Sequence, residues 1–189
     1  MNKLIIVGSG GFGREVANVA LVSHVWDQIF FIDDAIPINS VVNGISVIGN
    51  SNFLDNYSGH VFVAVGNIEV RKVVVQKLKR NEGICFPNII HPTCNWINNE
   101  LNTIGEGNYI GEGSIATVNI TLGNFNIINL GCLISHDTEI GSFCNIMHGV
   151  KITSGASLHN FIKVGAGASI LTAGHIESAS EIKANAVCK

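Results

Sequence analysis

Charge is scarce in this chain of 189 residues: Asp, Glu, Lys and Arg together make up 13%, about half the share of an ordinary globular protein. The 11 basic residues face 14 acidic ones, so there is no basic surplus to draw in nucleic acid or an anionic membrane surface. No stretch approaches the ~18 consecutive apolar residues of a transmembrane helix. The start of the chain has one lysine and a short apolar run that ends in a glycine loop rather than a small-residue cleavage site, so no secretory leader is read there. The five cysteines (Cys85, Cys94, Cys132, Cys144 and Cys188) are odd in number and form no Cys-x-x-Cys pair or zinc-ligand spacing. That pattern excludes a disulfide framework and a structural metal. It points to a reduced, cytoplasmic protein in which cysteine serves as a small apolar residue. There is no low-complexity tail or long linker. What the chain does have is 47% apolar residues, enough for a core, and 21 glycines, the mark of many tight turns.

Two halves of different periodicity share the chain. In the first, the apolar run Lys3–Val7 leads directly into Gly8-Ser9-Gly10-Gly11-Phe12-Gly13. Residues 14–22 then read as a helix with Val16, Val19 and Ala20 on one face. A second apolar run, Ile29–Ile32, ends in Asp33-Asp34, and a third, Val61–Val65, ends in Gly66-Asn67. Residues 69–80 read as a helix with Val70, Val73, Val74 and Leu78 facing inward. Strands alternating with helices predict a parallel sheet of βαβ units, here a shortened Rossmann-like α/β domain over residues 1–88.

From Ile104 the period changes. Every sixth residue from Ile104 to Ile182 is Ile, Leu or Val, with Ala116 the one exception. At the chain's own apolar frequency, chance would produce this in roughly 3 of 100,000 trials. Glycine often follows the aliphatic residue, as at Gly105, Gly111, Gly123, Gly141 and Gly165. Small side chains stand four places after it, among them Ser114, Cys132, Thr138, Cys144, Ala156 and Ala168. Neither a helix nor a simple strand has this period, whereas a hexapeptide-repeat β-helix does. The aliphatic residue fills the prism and the small one fits a crowded corner. Residues 89–189 are therefore assigned to a left-handed parallel β-helix, with the boundary near Pro87–Pro92, where proline forbids a continuing helix.

The segments Val7–Glu15 (VGSGGFGRE), Val65–Lys72 (VGNIEVRK), Ile90-His91-Pro92 and Asn129–Gly141 (NLGCLISHDTEIG), in this order and on this fold, resemble bacterial sugar acyltransferases of the sialic acid O-acetyltransferase (NeuD-like) family. That family includes N-acetyltransferases acting on nucleotide-linked 4-amino sugars. The resemblance implies acetyl-CoA as donor, no metal, homotrimers formed through the β-helices, and active sites at subunit junctions. It covers nearly the whole chain.

His136 and Asp137 carry the expected chemistry. Acetyl transfer needs a base for the attacking hydroxyl or amine, and histidine titrates in the working range. On its own, His136 reads first as a solvent-facing edge residue. The resemblance makes it the general base, makes Asp137 the acid that orients it, and places Asn129 near the acceptor. One coil is 18 residues, so Ser154 should stack above His136 at ~4.8 Å. A backbone N–H near Ser154 is implied to meet the thioester carbonyl. Stacking offers Ser154, Gly155, Ala166, Gly167 and Ala184 as the coenzyme A groove. His148, 12 residues on from His136, is expected on a different edge.

The loop Gly8-Ser9-Gly10-Gly11-Phe12-Gly13 has glycines that let backbone approach a phosphate at a helix N-terminus. Asp33 lies where a ribose-binding acid falls. Alone, the motif suggests NAD, or a turn that only packs helix on strand. The resemblance instead implies the nucleotide part of a nucleotide-sugar, bound by this loop with Asp33, Asp34, Gly66, Asn67 and Arg71. For Arg71 a phosphate contact and a solvated helix face are both open. The chain departs from relatives at Phe12, where amino-sugar N-acetyltransferases often carry histidine, and at Asn145, where some carry a second histidine. It also reaches Lys189 without the Gly-x-Pro-Ala-Lys/Arg tail that touches the cofactor. An NAD-binding enzyme and a non-catalytic trimeric scaffold are the alternatives.

Overall fold

The computed structural model describes residues 2–96, 100–171 and 175–188. The chain divides into two compact units, Met1–Ile89 and Ile90–Lys189.

The first unit is built on β1 (Lys3–Val7), whose Leu4, Ile5 and Ile6 are wholly buried. A strand covered on both faces has no need of apolar–polar alternation, so the sequence reads as one apolar run. It pairs in parallel with β2 (Gln28–Ile32) on one side and with β5 (Gly59–Val63) on the other. Beyond β2 lie β4 (Ile45–Gly49) and β3 (Val41–Val42), an antiparallel hairpin turned by Asn43-Gly44, both at positive φ. That dipeptide is the preferred turn for a two-residue hairpin. β6 (Ile84–Cys85) completes the order β3-β4-β2-β1-β5-β6. The order reverses between β1 and β5, so the crevice of the sheet opens at their carboxyl ends.

Helix α1 (Gly11–Ser23) buries Gly13, Val16, Ala17, Val19 and Ala20, which includes the face read from the sequence. Helix α2 (Ile68–Leu78) corrects that reading. It buries Arg71, Val75 and Leu78, while Val70 and Val73 are exposed. The helix is turned so that an arginine, not a valine, faces the sheet. Its rotation is set at its start, where the Asn67 side chain caps the Val70 N–H.

The second unit is a left-handed parallel β-helix. Among the described residues its two-residue strands form three stacks of six, six and five. The first face runs from Ile89–Ile90 to Glu181–Ile182, the second from Asn95–Trp96 to Val187–Cys188, and the third from Thr103–Ile104 to His175–Ile176. Partners across each stack are 18 residues apart, as Leu133↔Lys151 and Ile134↔Ile152. The every-sixth aliphatics from Ile110 to Ile170 are buried and form one continuous core. The position four later is buried too, with Cys132, Cys144, Ala156 and Ala168 at 0% exposure. Burial pushes the Cys132 thiol up to about 11 against the hydrogen bonds it receives and makes, which suits an apolar filler and not a nucleophile.

At that position two buried asparagines tie coil to coil. Asn108 Oδ1 accepts from the Asn126 N–H and its Nδ2 donates to the Gly123 carbonyl. Asn126 repeats the pattern with Cys144 and Gly141. Each edge of the prism has its own residue type in the left-handed conformation of the turn. The edge between the first and second faces uses Gly113, Gly131, Gly149, Gly167 and Asn185. The next uses Asn119, Asp137 and Gly155. The third uses Gly107, Phe125, Phe143, Phe161 and Ala179. Phenylalanine is strained there by about 1 kcal/mol or more. The three rings stack at 5.3 and 5.6 Å, which offsets part of that strain.

Candidate active site

Two sites emerge, one in each unit. In the first, the glycine loop turns sharply after β1. Gly8 has φ +94°, and a side chain there would press on the Ala64 carbonyl. Gly13 admits none, because a Cβ would fall into the Gly8 carbonyl oxygen. That clash is the reason the third glycine of the motif is a glycine. It brings the N-terminus of α1 against the loop, with no acidic residue and no side-chain cap in the first turn. Such an end favours an anion.

Asp33 holds the loop in place. Its Oδ2 accepts from both the Ser9 N–H (2.8 Å) and the Ser9 hydroxyl (2.7 Å), and its Oδ1 accepts from the Ala35 N–H. Burial alone would raise its pKa, but the bonds from Ser9, Ala35 and Ile36 outweigh burial and hold the carboxyl below its usual range. Asp34 Oδ1 accepts from the Ser51 N–H. A crevice of about 210 Å³ opens here, lined by Gly8, Asp33, Asp34, Ser51, Val70 and Val74 among others. The sequence reading missed Val70 and Val74 as crevice walls because it had assigned them to the core. Gly66 and Asn67 lie at the start of α2. Arg71 is 1% exposed, which excludes the solvated helix face. Its guanidinium donates to the Val65 and Gly66 carbonyls at 2.8 and 3.2 Å, bracing the end of the strand from behind.

The second site is the edge between the second and third faces of the β-helix. His136 and Asp137 occupy its turn, both more than half exposed. His136 Nδ1 lies 2.6 Å from Asp137 Oδ2. A carboxylate only accepts, so Nδ1 carries the proton and Nε2 presents the lone pair. The Asn119 amide, one coil below, donates to Asp137 Oδ1 at 2.9 Å. The hydrogen bond from His136, and next the one from Asn119, hold the Asp137 carboxyl below its usual range.

Ser154 and Gly155 stack on the same edge, one coil above. The Gly155 N–H is engaged by the His136 carbonyl at 3.1 Å. Among the described residues nothing accepts from the Ser154 N–H. The other proposed coenzyme A residues are elsewhere. Ala166, Gly167 and Ala184 lie on the glycine edge, at the turns that follow the first-face strands Lys163–Val164 and Glu181–Ile182. Asn129 and His148 lie on that edge too, after Ile127–Ile128 and Asn145–Ile146. Asn129 is 7% exposed, and its amide donates to the Met147 sulfur at 3.7 Å. Within one chain, therefore, His136, Asp137, Ser154 and Gly155 come together, whereas Asn129, Ala166, Gly167 and Ala184 do not join them. Among the described residues no three potential metal ligands cluster.

The chain thus combines a Rossmann-like unit, with a crevice at its strand reversal, and a left-handed β-helix bearing a His–Asp pair on one edge. Residues 3–78 match the PglD N-terminal domain family. Perosamine N-acetyltransferase from Caulobacter crescentus, seen as a histidine-to-asparagine variant with CoA and GDP-perosamine, superposes with a TM-score of 0.89 at 23% identity. The match covers 99% of this chain and 88% of that one. The acetyltransferase domain of PglB from Neisseria gonorrhoeae gives 0.75 at 26% identity, with 98% of each chain covered. WeeI from Acinetobacter baumannii gives 0.75 at 21%, covering 100% of this chain and 92% of that one. No curated protein sequence matches the chain significantly. The first unit thus carries a PglD N-terminal domain, and the chain shares the fold of these three structures.

Proposed function

We propose that the chain moves an acetyl group from acetyl-CoA to the sugar of a nucleotide-linked amino sugar, in the making of a surface glycan. The observation that carries this reading is the His136–Asp137 pair, whose geometry leaves Nε2 as the basic atom. His136 Nε2 takes the proton of the acceptor amine or hydroxyl as the acceptor attacks the thioester carbonyl. The Ser154 N–H donates to the oxygen that gathers charge. The carbon–sulfur bond breaks, and the proton held on His136 passes to the departing thiolate. Asp137 stabilises the imidazolium in between.

The nucleotide is assigned to the first unit's crevice, with Gly8–Gly13 for the phosphates and Val70 and Val74 as an apolar wall. Asp33 serves chiefly as the clamp of the loop. Both its oxygens already accept from the protein, which speaks against its use as the ribose acid of an NAD site. The Caulobacter structure is a complex with CoA and GDP-perosamine and the Neisseria one a complex with acetyl coenzyme A, which supports the donor and the class of acceptor. We further assign a homotrimer, supported by Ile115 and Leu133, which are 38% and 42% exposed side by side on the second face. A cytoplasmic location is supported by the five free cysteines.

The test is release of free CoA from acetyl-CoA against a panel of nucleotide-linked amino sugars and free or CMP-linked sialic acids. The exposed Cys85 is first replaced by serine so that it does not react with the thiol reagent. Turnover with one acceptor is expected. The His136→Ala variant should be slower by ~10²–10⁴-fold with the oligomer unchanged. Wild-type turnover in that variant removes His136 from the mechanism.

A further inference from the structure

The left-handed turn that carries Asp137 sits directly above one that carries Asn119, with φ of +58° and +57°. Both side chains project from the same edge, one coil apart. The coils are tied there by the Asp137 N–H, which donates to the Val118 carbonyl at 3.1 Å. The coil above has Gly155 at this position and adds no side chain. The Asp137 carboxylate is thus approached by a side chain from below and by His136 beside it, and by no side chain from the turn above. A carboxylate on a short, exposed side chain rotates freely unless something takes its second oxygen. Asn119 Nδ2 takes it, at 2.9 Å.

We propose that Asn119 is a positioning residue for acetyl transfer. By holding Asp137 Oδ1 it fixes the carboxylate plane so that Oδ2 meets His136 Nδ1, making a chain Asn119–Asp137–His136. The proposal rests on the reading of His136 as the base. Asn119 acts through Asp137 and touches neither acceptor nor donor. Its contribution is orientation, and so belongs in kcat and not in substrate affinity.

Glycine is the appropriate replacement at both positions, since it keeps the left-handed turn and removes only the side chain. Asn119→Gly should lower kcat by roughly tenfold, the effect of one charge-assisted hydrogen bond. The KM values for acetyl-CoA and the acceptor, the thermal melt and the oligomer should stay unchanged. Asp137→Gly should lower kcat by about 10²-fold. The double variant should match Asp137→Gly within about twofold, because Asn119 has nothing left to hold. Losses that multiply, or wild-type kcat in Asn119→Gly while His136→Ala is inactive, overturn this proposal alone. Full activity in His136→Ala overturns the base assignment and this proposal with it.

Discussion

Asp137 holds its charge well into acid. Its carboxyl is depressed below the ordinary 3.8, first by the bond from His136 and then by that from Asn119. A lowered folded-state value means that the pair is fully formed above the unfolded value and is lost only as pH falls through the folded one. Across the working range, then, Asp137 stays charged and takes up no proton. The acid limb of kcat/KM against pH should have a slope of one. A slope of two would show that Asp137 titrates with its neighbour. Arg71 is the other residue whose role the structure alone reveals. Its motif position suggested a ligand contact, but sequence spacing does not say which face of α2 is buried. Replacing it with Met removes the buried guanidinium and its bonds to the Val65 and Gly66 carbonyls. Urea unfolding should show a loss of about 2–4 kcal/mol. Unchanged stability would show that those carbonyls find another partner. Asn119 was not read from the sequence, although the signal for it was there. It is Asp137 minus 18, and the arithmetic that set Ser154 above the histidine also sets Asn119 below the aspartate.

At the scale of elements, the β-helix was readable because its rule is local and repeated. An interior aliphatic recurs every six residues, and each hexad adds the same strand and turn. The exceptions are the asparagines at 0% exposure, Asn108 and Asn126, which a rule of small residues does not predict. They are tolerated because each meets an N–H and a carbonyl that the turn would otherwise leave bare. Asn126→Ala should therefore cost about 2–4 kcal/mol in chemical denaturation, because two buried backbone groups lose their partner at once. A cost under about 1 kcal/mol would mean that water replaces the amide. The hairpin Val41–Gly49 and the turn Ser51–Asn56 of the first unit went unread. Their strands are short or at the edge and depend on a neighbour for their pairing.

For the whole molecule, the sequence carried the fold class and the edge on which the His–Asp pair lies, but not the gathering of the remaining residues. Asn129, Ala166, Gly167 and Ala184 sit on an edge that His136 does not share. In the proposed trimer, a second chain would supply the missing side of the groove. Leu133→Glu puts a charge on the outward second face without touching the core. It should convert the trimer to monomers in sedimentation velocity and abolish turnover along with it. Trimers that persist in the variant place the interface elsewhere.

The repeat also restricts how such a chain can change length. Loss or gain of one hexad leaves every aliphatic residue pointing inward, so the interior stripe does not register it. Yet it turns everything beyond the change by a third of the prism. A hexad lost between Asn119 and Asp137 would part them onto different edges, with the interior stripe intact and the chemistry silent. Only steps of a full coil keep the edges in register. The fold thus reads its sequence by sixes, while the chemistry on its surface reads the same sequence by eighteens.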